Sequence, residues 1–280
     1  METKRKSAKV VVSLLALAGL LVFSLFAVGG SLQPSAPPGP TMKTLDEVEP
    51  RIPIPSAAGR DPASTFIISE SGSYYLTGDR SCSGTGIEVI ANNVTIDLMG
   101  YSLIGAGSGT NYGISMNGRS NVEIRNGTVR NFYFGIYEYN STTGQNHRVI
   151  DVRSVSNGLY GIALKGTGHL IKDCTASDNG TGATSIVYGI YAGHGCTVIG
   201  NTAYYNGTSA TGTHVHGIYN NTGCTVTGNT AYYNGTSATS IVFGIFLSGS
   251  CLVDQNTAYN NNGINMNNPG SGAFGINYAP

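Results

Sequence analysis

Gly-Ile opens successive units of the chain at Gly86, Gly113, Gly135, Gly161, Gly189, Gly217 and Gly244, at intervals of 27, 22, 26, 28, 28 and 27 residues. A period of this size marks a small structural unit stacked on copies of itself. Two units are near copies: GIYAGHGCTVIGNTAYYNGTSAT from Gly189 and GIYNNTGCTVTGNTAYYNGTSAT from Gly217. A second register runs beside the first. The trios Arg153-Ser154-Val155, Cys174-Thr175-Ala176, Asn201-Thr202-Ala203, Asn229-Thr230-Ala231 and Asn256-Thr257-Ala258 each place Ser or Thr before a small apolar residue. An asparagine follows each trio within a few residues: Asn157, Asn179, Asn206, Asn234 and Asn261.

The units are strands, not helices. The apolar runs are short, β-branched and alternating, as in Val94-Thr95-Ile96-Asp97-Leu98 and Val122-Glu123-Ile124; that is period 2, with no 3.6-residue stripe. Gly and Asn close each run, and both tolerate the left-handed backbone of a tight turn. A propeller blade needs about 40 residues. A unit of 22 to 28 residues fits one coil of a parallel β-helix instead. No proline lies between Ala63 and Asn268, which agrees with unbroken ladder pairing.

Asn93-Val94-Thr95-Ile96-Asp97-Leu98-Met99-Gly100, Asn121-Val122-Glu123-Ile124-Arg125-Asn126-Gly127-Thr128-Val129 and the preceding Gly72-Ser73-Tyr74-Tyr75-Leu76 resemble the entry coils and N-terminal cap strand of bacterial right-handed parallel β-helix repeat proteins. That group shares the pectate-lyase-like superhelix and the NosD-type repeat. The resemblance spans about residues 65 to 280. It implies an all-β fold, a single-stranded right-handed parallel β-helix (solenoid) of about seven to eight coils. Its members include lyases, hydrolases, epimerases and non-catalytic proteins, so it implies no single activity.

The N-terminus reads as a leader. Lys4, Arg5, Lys6 and Lys9 precede an apolar run from Val10 to Val28, and Ala27-Val28-Gly29 supplies small residues for cleavage. Residues 1–29 are therefore expected to form a signal helix, or an uncleaved membrane anchor. Residues 30–64, with most of the prolines, read as a linker; 65–85 as the cap strand; 86–280 as the β-helix. A secreted, extracellular or periplasmic location follows, cell-surface tethered if the leader is retained. The final Gly272-Ala273-Phe274-Gly275-Ile276 reads as a strand starting another coil, an uncapped edge open to end-to-end or subunit contact.

In stacked coils equivalent residues lie about 4.8 Å apart, so aligned positions become columns. Ile87, Ile114, Ile136, Ile162, Ile190, Ile218 and Ile245 should form an aliphatic core ladder, and Asn206, Asn234 and Asn261 an amide ladder. Cys196, Cys224 and Cys251 should form one inward column, with Cys82 and Cys174 elsewhere. Buried thiols and a disulfide between neighbours both stay open.

The chemistry on offer is sparse. Lys plus Arg and Asp plus Glu tie at 15 each, so nothing supplies the basic surface that nucleic acid requires. No cofactor is indicated, and no metal: there is no CxxC, and His214 and His216 share one strand face without a third ligand. The densest charged patch places Asp151 and Asp173 near Arg125, Arg153 and Lys172, the one candidate acid–base constellation. It lacks the Asp-Asp pair of polygalacturonases and the Asp-rich calcium site of pectate lyases. Tyr204, Tyr232 and Tyr259 follow inward alanines in three successive coils and should stack outward as a flat apolar platform with hydroxyl handles, suited to polysaccharide. Tyr191, Tyr219 and Phe246 form a second aligned set. The residues thus point first to a non-catalytic polysaccharide-contacting module. The alternatives are a carbohydrate-active enzyme (lyase, hydrolase or epimerase) and a structural spacer or adhesin.

Overall fold

The computed structural model describes residues 51–56, 65–212, 214–267 and 272–280. Among them there is no helix; 25 strands form a parallel β-solenoid. The expected signal helix and most of the expected linker lie outside the described residues.

Each coil crosses three faces. On face 1 successive strands include Gly72–Leu76, Val94–Asp97, Val122–Arg130, Arg148–Val155, Leu170–Lys172, Thr197–Ile199, Thr225–Thr227 and Leu252–Asp254. Face 2 carries Thr175–Ser177, Thr202–Tyr204, Thr230–Tyr232 and Thr257–Tyr259, and joins face 1 through the long strands Val122–Arg130 and Arg148–Val155. Face 3 is a separate 9-stranded sheet from Phe66–Ile68 to Ile264–Met266. Ile52–Ile54, inside the stretch read as linker, is the first strand of face 1 and pairs in parallel with Tyr74–Leu76. Pro53 is tolerated there because an edge strand need not donate on its outer side.

The interior is built of columns. The seven Gly-Ile isoleucines stack in register on face 3 and are all fully buried. Burying each stabilises the fold by about 1.5–3 kcal/mol relative to an exposed side chain. The glycine before each isoleucine has no room for a side chain: a Cβ on Gly189 would sit 2.5 Å from Gly217 O and 2.7 Å from Asn206 Nδ2. Inward alanines Ala176, Ala203, Ala231 and Ala258 line face 2.

Two corners set the register. At the corner leaving face 2, one residue of each coil is left-handed, including Ser156, Asp178, Tyr205, Tyr233 and Asn260 (φ 51–57°). The next residue is a buried asparagine in the series Asn157, Asn179, Asn206, Asn234, Asn261. Asn206 is typical: its backbone N–H and its Nδ2 both donate to Asn234 Oδ1 (3.2 and 2.9 Å), and Nδ2 also donates to Ala176 O (2.9 Å). The expected Asn206, Asn234 and Asn261 ladder is therefore present, and it extends down to Asn157. Between faces 1 and 2 a second ladder, not anticipated from sequence, joins Asn201, Asn229, Asn256 and Asn277 through Nδ2–Oδ1 bonds of 2.9, 2.9 and 3.0 Å.

Cys196, Cys224 and Cys251 do share one inward column, each preceding register partners Thr197, Thr225 and Leu252. All five cysteines are free thiols and buried. The same column continues downward into His169 and His147, fully enclosed.

Asn234→Ala should lower the unfolding free energy by more than about 2 kcal/mol, because it strands several buried donors and acceptors at about 1–3 kcal/mol each. The exposed Thr211→Ala should change it by less than about 0.5 kcal/mol. Urea midpoints at unchanged slope decide this; equal midpoints for the two variants would remove the ladder from the account.

Candidate functional site: a tyrosine double column on face 2

Tyr204, Tyr232 and Tyr259 are half-exposed and stack coil upon coil. Their ring centroids lie 5.1 and 5.5 Å apart, with planes within 10° and 7° of parallel. The inward methyls of Ala203, Ala231 and Ala258 turn them outward by strand alternation. A second column, missed from sequence, stands beside the first. Tyr205 and Tyr233 stack at 5.5 Å and meet Tyr204 and Tyr232 edge-on at 5.6 and 5.7 Å. They are 39% and 38% exposed, and both hold φ = 52°. A left-handed backbone costs an L-residue about 1–2 kcal/mol, and the equivalent residue is Asp178 one coil below and Asn260 one coil above. The doubled Tyr-Tyr of each repeat was the available signal. Reading it required knowing that the second tyrosine occupies a one-residue corner and so also points outward.

Thr208 and Thr236 hydroxyls donate to the carbonyls of Tyr205 and Tyr233 (3.0 and 2.8 Å), anchoring the turn behind the platform. A polar depression of about 500 Å³ opens beside it, lined by Tyr233, Thr236, Ser237, Asn260, Asn261 and Asn262. Burial, followed by the neighbouring phenols, pushes the Tyr232 hydroxyl up, so it remains a hydrogen-bond donor at neutral pH. Together these elements offer flat apolar faces, phenolic hydroxyls and amide donors, without a charge at the centre.

The charged patch is divided between sites. Asp151 and Asp173 are aligned one coil apart, both left-handed (φ 52° and 53°), at the corner between faces 1 and 2. Lys172 pairs with Asp173 at 3.5 Å. Arg125 turns the other way, to Asp97 Oδ2 and Glu123 Oε1, each at 3.1 Å. Arg153 lies on face 2, where Nε donates to Thr128 Oγ1 at 3.2 Å. Among the described residues, the ion pair formed within this set of five is Lys172 with Asp173. The carboxylates that organise the arginines are Asp97 and Glu123, with Arg148 also on Glu123 at 3.3 Å. Glu123 and Arg148 belong to the same charged patch in the sequence, whereas Asp97 reads there only as a strand position.

A second constellation is internal. Glu138, fully buried, accepts from the Gly118 backbone N–H at 3.0 Å and lies 3.3 Å from His147 Nε2. Val122 N–H donates to His147 Nδ1, which leaves the ring proton on Nε2, facing Glu138. His147 N–H donates in turn to His169 Nδ1 at 3.1 Å, and the two rings stack 5.0 Å apart. Burial pulls His169 down to about 3. Burial pushes the Cys174 thiol up to about 12; in the column above, the Cys196–Cys224 hydrogen bond pushes Cys224 up to about 12 and pulls Cys196 down. Among the described residues no group of three or more His, Cys, Asp and Glu is placed to hold a metal ion. Nor is any helix there long and apolar enough to cross a membrane; the apolar run 10–28 lies outside them.

The stacked parallel faces, with one aligned side chain per coil, define a β-solenoid class. The chain belongs to the right-handed beta helix region family, which it matches over residues 112–277. Among solved structures it is similar to the A-module of the mannuronan C-5 epimerase AlgE4 from Azotobacter vinelandii, with 17% identity and TM-score 0.45 over 74% of this chain and 68% of that one. It is also similar to the Dettilon tailspike protein gp208, with 15% identity and TM-score 0.38 over 82% of this chain; it spans 61% of the tailspike's length. No curated protein matches the sequence.

Burial also holds His216 down near 3, as it does His169. Both folded-state values lie below the ordinary 6.5, so the unfolded chain takes up protons first as pH falls. Stability should be fully present above about pH 6.5 and fall towards pH 3, by up to about 1.4 kcal/mol per pH unit for each imidazole. Urea unfolding at pH 7, 5 and 4 measures this. His216→Phe, which repeats the Phe243 of the next coil, should remove about half of the dependence; an unchanged slope would contradict the assignment.

Proposed function

We propose that this protein is an exported, non-catalytic polysaccharide-contacting module. Its ligand surface is the double column Tyr204, Tyr232, Tyr259, Tyr205 and Tyr233. The observation that carries this reading is the pair Tyr205 and Tyr233. At a left-handed corner the local preference is Gly, Asn or Asp, yet two successive coils hold a bulky, solvent-facing aromatic there. Strain kept at an exposed position points to a role other than folding. Parallel rings repeated coil after coil suit an extended polymer, because each further contact forms at high effective concentration once the first is made. The basic–apolar leader supports export, and a retained leader would tether the module to the cell surface.

Tyr232→Ala should weaken polysaccharide binding about fivefold, the scale of an aromatic contact of about 1 kcal/mol. Tyr204→Ala, Tyr232→Ala and Tyr259→Ala combined should weaken it more than additively. Tyr233→Asn should reduce binding while leaving stability within about 1 kcal/mol, since lost ring contact and relieved backbone strain offset each other. A glycan array followed by titration of the purified chain reads all three. Unchanged binding in the triple variant would discard the platform. Polymer cleavage that vanishes on Asp151→Asn or Asp173→Asn would replace the module by an enzyme.

A further inference from the structure

Face 3 carries a longer aromatic array on its outer side. Tyr112, Phe134, Tyr160, Tyr188, His216 and Phe243 are register partners, one per coil, with ring centroids 5.0 to 5.3 Å apart. Three positions on, Tyr191, Tyr219 and Phe246 form a parallel column at 4.7 and 5.1 Å. Its alignment stops below Tyr191, where Ala163 is the register partner. The columns meet edge-on: Tyr188–Tyr191 at 5.0 Å and 75°, His216–Tyr219 at 5.2 Å and 85°, Phe243–Phe246 at 4.7 Å and 67°. Two walls of rings nearly perpendicular to each other make a trough, not a flat sheet.

A depression of about 270 Å³ lies in this trough, lined by Tyr188, His214, His216, Tyr219, Phe243 and Phe246. Two imidazoles and two phenols are part of its lining. His216 is 4% exposed, and its Nδ1 is buried without a hydrogen-bond partner. Such an orphan in a packed sheet calls for an explanation. His214 stacks on it at 5.7 Å. Between Asp178 and Asp254 the sequence contains no Asp, Glu, Lys or Arg, so no formal charge from these coils reaches the trough.

We infer that the trough between Tyr188 and Phe246 is a second binding site, for an uncharged saccharide. A pyranose has apolar C–H faces, which fit against a stacked ring, and a rim of hydroxyls that both donate and accept. The Tyr219 and Phe246 rings supply the face. The His214 and His216 imidazoles and the Tyr188 hydroxyl supply the rim partners. A uronate is disfavoured, because its carboxylate would be desolvated against aromatic walls with no cation to match it. This site lies on a different sheet from the Tyr204 platform and shares no residue with it, so the two stand or fall separately.

The test uses the full chain and hexaoses of glucose, mannose and galactose, with a mannuronate hexamer as the charged control. Tyrosine emission gives a clean signal, since the chain has no tryptophan. At least one uncharged hexaose should bind. Tyr219→Leu and Phe246→Leu, which keep apolar bulk but lose the ring, should weaken it at least fivefold, while the exposed Thr211→Ala leaves it unchanged; the mannuronate hexamer should not compete. On the unmutated chain, aromatic NMR should show the sugar perturbing the Tyr219 and Phe246 rings. Three results would overturn the inference: no uncharged hexaose bound, binding that survives both leucine variants, or perturbation confined to Tyr204, Tyr232 and Tyr259. The last would move the sugar to face 2 and leave the platform standing.

Discussion

The structure depends on a buried carboxamide that bonds to its own copy one coil away. In a parallel solenoid the backbone ladder runs between coils and not along the sequence, and its corners bury polar groups away from water. Orphaned polar groups there would each cost about 1–3 kcal/mol. Asparagine removes that cost: one side chain accepts from the coil below and donates to the coil above and to a backbone carbonyl, as Asn234 does with Asn206, Asn261 and Ala203. The left-handed residue just before it aims the carboxamide inward. Because the bond is between identical positions, it enforces zero slip between coils.

Zero slip turns a repeated sequence into columns. Inside, it stacks isoleucines, alanines and the His–Cys series at constant spacing, so each coil contacts only its neighbours and stability accumulates along one axis. Outside, the same register turns a tyrosine in each repeat into a continuous aromatic wall. The aromatic surfaces on faces 2 and 3 are therefore a direct consequence of the corner chemistry, and no dedicated loop is required to build them. A charged cluster gains less from this arrangement: copying an acid stacks like charges, as at Asp151 and Asp173, and those coils escape by pairing Lys172 locally.

The fold was legible because its determinants are periodic. Gly-Ile located the core isoleucines, Ser/Thr-Ala located the inward alanines and hence outward Tyr204, and the shared offset of Cys196, Cys224 and Cys251 located their column. What escaped notice follows from backbone conformation at single residues. Asn201, Asn229 and Asn256 were grouped with the strands they begin, although they are corner ladder residues. Tyr205 and Tyr233 went unread because strand alternation does not mark the left-handed residue that interrupts it. The face 3 column escaped because it mixes Tyr, Phe and His and lies just before the Gly-Ile pair that marks each unit. The partner of Arg125 was missed for a different reason: Asp97, its register partner one coil below, lies in a strand read for its apolar alternation alone.

Side-chain amide hydrogen exchange by NMR is the most direct test that corner carboxamides hold the coils in register. The Nδ2 protons of Asn179, Asn206, Asn229 and Asn234 should exchange only through global unfolding, at rates that track stability as denaturant is added. Exchange as fast as that of the exposed Asn92 carboxamide would contradict the account, because the ladder would then be open to water and could not be what fixes one coil upon the next.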